Sequence, residues 1–427
     1  MRESRGFGRR REPVVPTVHK VEVSESHIKL RVVLIVAFLL VGVIALTVFV
    51  TSLLKKDAGW REIEVSDKTT GFSQEFVLQY QLGVLGDATT EYRALTSLYT
   101  EYGNYFYALF DKYVAYEDIV NVYEINRAPN SILTVDPVLY DALAAMVASE
   151  ERYLYLAPIY TEYSDLFVAE NDHFAAGRDP WRSEDAQSYV DELLRYCNDP
   201  AMISLELMEN HQICLHVAEE YLALAAAYEL DALIDFAWLK NAFIIDAVSD
   251  MLATAGFVLG NLASSDGYMR NLDTVGEESY AYNYFDRYRN SICDAAVLSY
   301  RGDLAVVDLR SYALRESDMM RTYTYADGTV ATLYVDPADG RYRHALHGLL
   351  AYSDTNSCAE IALAVAPMFI ADALPDDAAQ TLLKYDIALI VTKDAHITNT
   401  GDNLTLVEGS LYRDAEISYQ YEQTGHK

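Results

Sequence analysis

The stretch VVLIVAFLLVGVIALTVFVTSLL, Val32 to Leu54, constrains this chain more than any other segment. It holds no charged residue, no proline and a single glycine. At about 1.5 Å of helical rise per residue it reaches roughly 34 Å, enough to cross a hydrocarbon core of about 30 Å. A cleaved signal peptide fits less well, because the apolar region is too long and no small-x-small site closes it. The expectation is one membrane-spanning helix over residues 32–54.

The flanks orient that helix. Arg2, Arg5, Arg9, Arg10, Arg11, Lys20, Lys29 and Arg31 precede it, whereas only Lys55 and Lys56 follow it directly. The positive-inside bias then makes residues 1–31 a basic cytoplasmic tail and places residues 57–427 outside the cytoplasm. The chain is expected to be a single-pass protein of the cytoplasmic membrane. The RRREPVVP run reads as a topology signal in preference to a lipid-binding patch.

Charge separates the two sides further. Residues 1–56 hold ten Lys and Arg against four Asp and Glu, a balance of +6, so the whole-chain charge of −31 leaves −37 on residues 57–427. Such a surface repels phosphate backbones and argues against a nucleic-acid partner. With 51% apolar residues, the exterior part is long enough to bury a large core. Cys197, Cys214, Cys293 and Cys358 all lie on this side, where disulfides persist, and four cysteines allow three pairings. None stands in a CxxC spacing, so zinc and thioredoxin-like readings lack support. His344 and His347 in RHALHG are spaced to meet on a helix but lack a third metal ligand nearby.

Periodicity along the exterior part mixes helix and strand. FVLQYQLGVL, Phe76 to Leu85, alternates like a strand. Tyr92, Leu95, Tyr99, Tyr102, Phe106, Leu109 and Tyr113 recur at helical steps. Asp136 and Pro137 form a helix start, and another helix starts at Ser183. MISLELM and QICLHVA read as a strand pair, and EEYLALAAAYEL and IDFAWLKNAFIIDAVSDMLATAG as helices. After Asp294 the pattern is β, with a YADGT hairpin signal and one apolar helix around Cys358 to Ile370. There is no regular βαβ alternation, no repeat and no linker, so one large α+β domain over residues 57–427 is expected.

Several short segments, in order, resemble the FAD:protein FMN transferases of the ApbE type. VYEINRAPNSILTVDPVLYDALAAM (Val122 to Met146) resembles the family's Ser-x-Ile-x-x-Ile-Asn segment and the capped helix after it. IDFAWLKNAFIID (Ile234 to Asp246) is similar to Asp-Leu-Gly-x-Ile-Ala-Lys-Gly-Tyr-x-x-Asp, LYVDPADGR to the Ile-Asp-Pro-x-Thr-Gly loop, and CAEIALAVAPMF to Ala-Asp-Ala-Leu-x-Thr-Ala-Leu-Phe. IALIVTKDAHITNTGDNL suits the closing hairpin. The resemblance implies FAD and Mg²⁺ as cofactors, with FMN passed to a Thr or Ser of an envelope protein as acceptor.

It also implies the site residues. Asn126, Asn241, Asp246, Asp266, Asp318 and Asp336 fall on nucleotide-contacting positions, and Glu360 on a metal ligand. The departures are specific. Aligning Asp246 with the family's closing aspartate puts Asn241 on the lysine and Ala242 on the glycine, with Lys240 one residue early; a one-residue step turns a helical side chain by about 100°, so Lys240 is expected to point elsewhere. The Thr-Ser-Gly-Asp segment becomes RESD, keeping Asp318 alone, and the following His-His pair is missing. The metal-binding Asp and Thr become Glu360 and Ala364. Losing one preorganised charge-stabilising group commonly lowers a rate by about 10² to 10³.

Each of these residues has a plainer reading. Asp336 in VDPADG and Asp266 in SSDGY are also what turns require. Glu360 sits in an apolar helix, which makes it the strongest ligand candidate. Three readings stay open: an anchored flavin transferase with weakened or lost catalysis, a non-catalytic binding or interaction module on the same fold, and an unrelated anchored structural domain. No Ser-His-Asp, Cys-His or paired-acid constellation can be assembled, so a hydrolase has no motif behind it.

Overall fold

A computed structural model describes residues 56–149, 151–276, 278–288, 291–314, 321–402, 404–408 and 417–424. The basic tail 1–31 and the apolar span 32–54 lie outside the described residues. No helix among the described residues is long and apolar enough to cross a membrane. Contacts group Asp57–Lys427 into one unit.

A nine-stranded sheet organises that unit, and its spatial order is the order of the chain. The strands are β1 (Gly59–Ile63), β2 (Phe76–Leu82), β3 (Gly260–Ser264), β4 (Tyr268–Asn271), β5 (Leu304–Arg310), β6 (Gly348–Ser353), β7 (Ala388–Lys393), β8 (His396–Asn399) and β9 (Gln420–Gln423). Every neighbouring pair is antiparallel except β8 and β9. Long excursions leave the sheet and return beside the strand they left. The longest, between β2 and β3, is mainly helical and carries a separate three-stranded sheet of Ile132–Thr134, Ile203–Met208 and Gln212–Val217.

The central strands are largely apolar because both faces are covered, with Asp308 in β5 and Arg270 in β4 among the exceptions. Along β5, Ala305, Val307 and Leu309 join the larger core, while Leu304 and Val306 face a second, smaller one. The larger core packs helix α2 (Lys240–Thr254) and helix α3 (Cys358–Phe369), with Ile244 and Ile361 fully buried. The smaller core is closed by the hairpin of Tyr280–Tyr288 and Ser291–Tyr300, through Tyr284, Ala295 and Leu298. Burying one such Ile or Leu side chain contributes roughly 1.5–3 kcal/mol.

Local signals explain where elements stop. Helix α1 (Ala88–Leu109) is capped by Asp87, whose carboxylate accepts from the Thr90 N–H at 3.0 Å. The tyrosine periodicity extends to Tyr113, but the helix ends at Leu109 because the Asp111 side chain accepts from the N–H groups of Tyr113 and Val114, turning the chain; Tyr113 is left exposed. Gly103 of α1 is a packing requirement, since a Cβ there would enter the Phe72 ring. Strand β2 ends at Leu82, three residues before its apolar pattern does, because Gly83 turns at φ +91°. Asp136 caps the helix Pro137–Ala148, Ser183 caps Glu184–Cys197, and the YADGT turn closes the short hairpin of Thr322–Thr324 and Val330–Thr332. All four cysteines are buried and unpaired, so no disulfide crosses the domain.

Candidate functional site

The opening of α2, the β3–β4 turn and the start of β2 converge on one cleft. The chain enters α2 through a single 3-10 turn, Ala237–Leu239, with Ala237 at φ 48°. Asp235 secures that turn by accepting from the Ala237 N–H at 2.9 Å, and its other oxygen pairs with Lys112 at 2.6 Å. Upstream, Asn126 receives the N–H groups of Leu233 and Ile234 on its Oδ1 and donates its amide to the carbonyls of Val122 and Ile234.

On the facing side, the β3–β4 turn presents Asp266. Gly267 follows at φ +107°, and a Cβ there would collide with the Asp308 carbonyl, so the turn requires glycine. The Ser264 hydroxyl donates to Asp266 at 2.6 Å and accepts from the Tyr268 N–H at 3.0 Å, fixing the carboxylate. The Ser265 N–H donates to the Glu75 carbonyl at 2.7 Å, tying this turn to the residue immediately before β2.

Glu75 is the hub of the cleft. One carboxylate oxygen accepts from the Tyr107 hydroxyl at 2.6 Å and from Lys240 Nζ at 3.2 Å; the other accepts from Asn241 Nδ2 at 2.7 Å and from Arg321 Nη2 at 2.8 Å. Arg321 also reaches Asp266 at 2.6 Å, and Asn241 Nδ2 lies 3.0 Å from both Asp266 oxygens. Burial alone would raise the Glu75 carboxyl, but Lys240 and Arg321, with the bonds from Tyr107 and Asn241, outweigh it and hold it at about 2. Burial lowers Arg321, and Asp266 and Glu75 more than restore it, so it lies above its ordinary range. The cavity beside this cluster measures about 240 Å³ and is walled by Tyr107, Lys112, Tyr160, Trp238, Asn241 and Arg321. A smaller one of about 60 Å³ shares Trp238, Asp266 and Arg321 with it.

Of the sequence-predicted site residues, Asn241 and Asp266 meet here. Lys240 does not point away as the helical step suggests. Its ammonium sits over the Tyr107 ring, 4.1 Å from the centroid, and pairs with the carboxylate that Asn241 also holds. The remaining described candidates lie elsewhere. Asn126 has both lone pairs and both amide hydrogens committed to the backbone, leaving none for a nucleotide. Asp336 shapes its own turn through the Ala338 N–H and pairs with Arg343 at 2.6 Å.

Asp246, in the second turn of α2, accepts from the N–H groups of Cys358 and Ala359 at 2.9 and 2.8 Å and from Arg270 at 3.2 Å. It thereby satisfies the exposed donors at the start of α3. Burial raises its carboxyl to about 6 against the opposing pull of Arg270 and those two N–H groups. Glu360 belongs to the same helix start. Its side chain accepts from the Ser357 N–H at 2.8 Å while the Ser357 hydroxyl accepts from the Glu360 N–H, a reciprocal capping box at an exposed position. Asp318 lies outside the described residues.

No group of three or more His, Cys, Asp or Glu side chains that could hold a metal ion occurs among the described residues. His344 and His347 do approach, with ring centroids 5.9 Å apart, but on an irregular segment and not a helix. The sequence reading missed Glu75, Tyr107, Arg321 and the Lys112–Asp235 pair. Glu75 left one legible trace, as the lone acid at the threshold of the alternating FVLQYQL strand.

No protein-family model matches the chain, and no curated protein matches it. Solved structures do. The ApbE protein of Thermotoga maritima aligns with a TM-score of 0.51 at 11% identity, over 84% of this chain and all of that one. Flavin transferase ApbE from Vibrio cholerae aligns with a TM-score of 0.47 at 12% identity, covering 83% of this chain and 99% of that chain. The flavinyl transferase ApbE of Pseudomonas stutzeri gives 0.47 at 14%, over 82% and 94%. The Thermotoga alignment, spanning the whole of its partner, assigns this domain a divergent version of the ApbE-type fold.

Proposed function

We propose that this protein is flavin transferase-like, held at the outer face of the cytoplasmic membrane by the span 32–54, and that FMN transfer from FAD is weakened or lost in it. The observation that carries the second half is the charge state of the cleft. Lys240 is engaged by Glu75, Arg321 by Glu75 and Asp266, and Lys112 by Asp235, so among the described residues of the cleft these cations are all committed before a pyrophosphate arrives. Asn241, on the position that the resemblance gives to lysine, contributes a neutral amide.

The donor set does not fit Mg²⁺ either. Glu360 and Ala364 take the places of the metal-binding pair; the first is closed in its capping box and the second has no oxygen to offer on its side chain. A flavin nucleotide entering the cleft would meet the aromatic walls of Tyr107, Tyr160 and Trp238 and an electrostatically balanced floor.

The test is calorimetric titration of the full chain in detergent with FAD, with and without Mg²⁺, together with an FMN-transfer assay on a Thr-containing acceptor. Weak, Mg²⁺-independent binding and slow or absent transfer are expected. Efficient transfer would overturn the reading, and no binding of any flavin nucleotide would leave the interaction module. Topology is tested separately: protease added to intact spheroplasts should digest residues 57–427 and spare a tag at residue 1.

A further inference from the structure

Four donors from three parts of the chain converge on the Glu75 carboxylate: the Tyr107 hydroxyl, the Lys240 ammonium, the Asn241 amide and the Arg321 guanidinium. That is how proteins hold an external phosphate or carboxylate, with charged donors supplying most of the strength. Here the anion is the protein's own. A second observation places a ligand in the same space. Trp238, Tyr160 and Asn241 all wall the cavity and are 7%, 1% and 0% exposed, and the indole N–H, the hydroxyl and Asn241 Oδ1 make no well-formed hydrogen bond. The Trp238 indole and the Tyr160 hydroxyl are hydrogen-bonding neighbours of each other, in a geometry too poor to satisfy either fully. Buried polar groups are rarely left unsatisfied, and one unpaired oxygen beside a poorly formed indole–hydroxyl contact on a single cavity wall points to an occupant. Two of the three can donate, as an anion requires.

We propose that Glu75 is an internal stand-in for the anionic group of a ligand, and that its carboxylate excludes phosphate and diphosphate oxyanions from a cleft otherwise equipped to hold one. The inference rests on reading this cleft as the ligand site. In the native protein a diphosphate must displace Glu75 or sit beside both Glu75 and Asp266, and like charges at such range repel. With the Glu75 charge removed, Lys240 and Tyr107 lose their anion, and Arg321 and Asn241 keep Asp266 alone. Glu75 is then the residue that sets which ligand chemistry the cleft accepts.

Pyrophosphate and ADP, titrated without Mg²⁺ into the full chain in detergent, test this in three proteins: native, Glu75→Gln, and Glu75→Gln with Arg321→Gln. Glu75→Gln should bind pyrophosphate and ADP at least about tenfold more tightly than the native chain, and the added Arg321→Gln should remove the gain. Equal affinity in the native protein and Glu75→Gln, or a gain that survives Arg321→Gln, would overturn the proposal. Glu75→Ala supplies an independent reading by thermal melting. It should melt below the native protein and be raised by pyrophosphate, while the native midpoint stays fixed; a Glu75→Ala midpoint indifferent to pyrophosphate counts against the stand-in role. If no protein binds FAD yet Glu75→Gln gains pyrophosphate, the flavin reading fails and this one stands. If the native chain binds FAD and Glu75→Gln gains nothing, the reverse holds.

Discussion

Two carboxylates lie against the first two turns of α2, each bonded to an arginine, and they are shifted in opposite directions. Glu75 meets the first turn, is held by two cations and two neutral donors, and lies at about 2. Asp246 belongs to the second turn, has Arg270 and two backbone N–H groups, and is raised to about 6. An arginine partner by itself therefore does not decide a carboxylate's state. Burial raises both, and the outcome depends on whether enough positive charge stands opposite to reverse it. The Glu75 side chain keeps 19% of its surface and is bonded to Tyr107, Lys240, Asn241 and Arg321 of the cavity wall, whereas Asp246, at 13%, is bonded to the start of α3. One carboxylate is arranged as if for exchange with a ligand, the other as a joint between helices.

The largest effect should come from breaking the joint. Arg270→Met leaves Asp246 buried with backbone donors alone, and loss of one member of a buried pair typically costs about 3–5 kcal/mol. Urea unfolding at neutral pH measures it. A loss below about 1 kcal/mol would show that the two N–H groups of α3 suffice.

Next comes pH, where the two carboxylates should act with opposite sign. The Glu75 carboxyl is depressed from 4.5 to about 2 on folding, so its contribution is complete above pH 4.5 and disappears as pH falls through 2, about 3 kcal/mol in all. The Asp246 carboxyl is raised from 3.8 to about 6, so the stability it contributes is complete below 3.8 and lost as pH rises through 6, roughly 2–3 kcal/mol. Stability measured against pH should thus decline between about 4 and 6 in the native chain, and Asp246→Asn should flatten that decline while Glu75→Gln leaves it in place. A decline unchanged in Asp246→Asn would remove Asp246 from the account.

The smallest effect distinguishes a cap from a metal ligand. Glu360→Ala should cost about 1 kcal/mol through the α3 capping box and leave any FAD binding unchanged with or without Mg²⁺. Loss of a Mg²⁺-dependent component on that substitution would return Glu360 to the ligand role.

These contrasts also show which features the sequence could carry. The helix starts at Asp136 and Ser183, the 203–217 strand pair and the apolar helix from Cys358 were legible because each is written in a few adjacent residues, through a cap, a period or a turn. Asp266 was legible as a turn residue, and Asn241 through its place beside Lys240. Glu360 was misleading for a physical reason. An acid in an apolar helix looks costly until the Ser357 hydroxyl three residues earlier is seen to complete a capping box, a signal that was present in SCAE but weighed as a ligand.

By itself the sequence determined the α+β class, the apolar span at 32–54 with its charge asymmetry, and the capped helix starts at Asp136 and Ser183, since all of these depend on neighbouring residues and simple periodicity. Only the tertiary structure decided that the sheet runs in chain order, that Lys240 folds back over Tyr107, and that Glu75 gathers donors lying 32, 165, 166 and 246 residues away. Such a cluster leaves no pattern along the chain. A charge finds its partner in space, and antiparallel strands that return past long excursions bring together residues whose spacing in sequence carries no information about their distance.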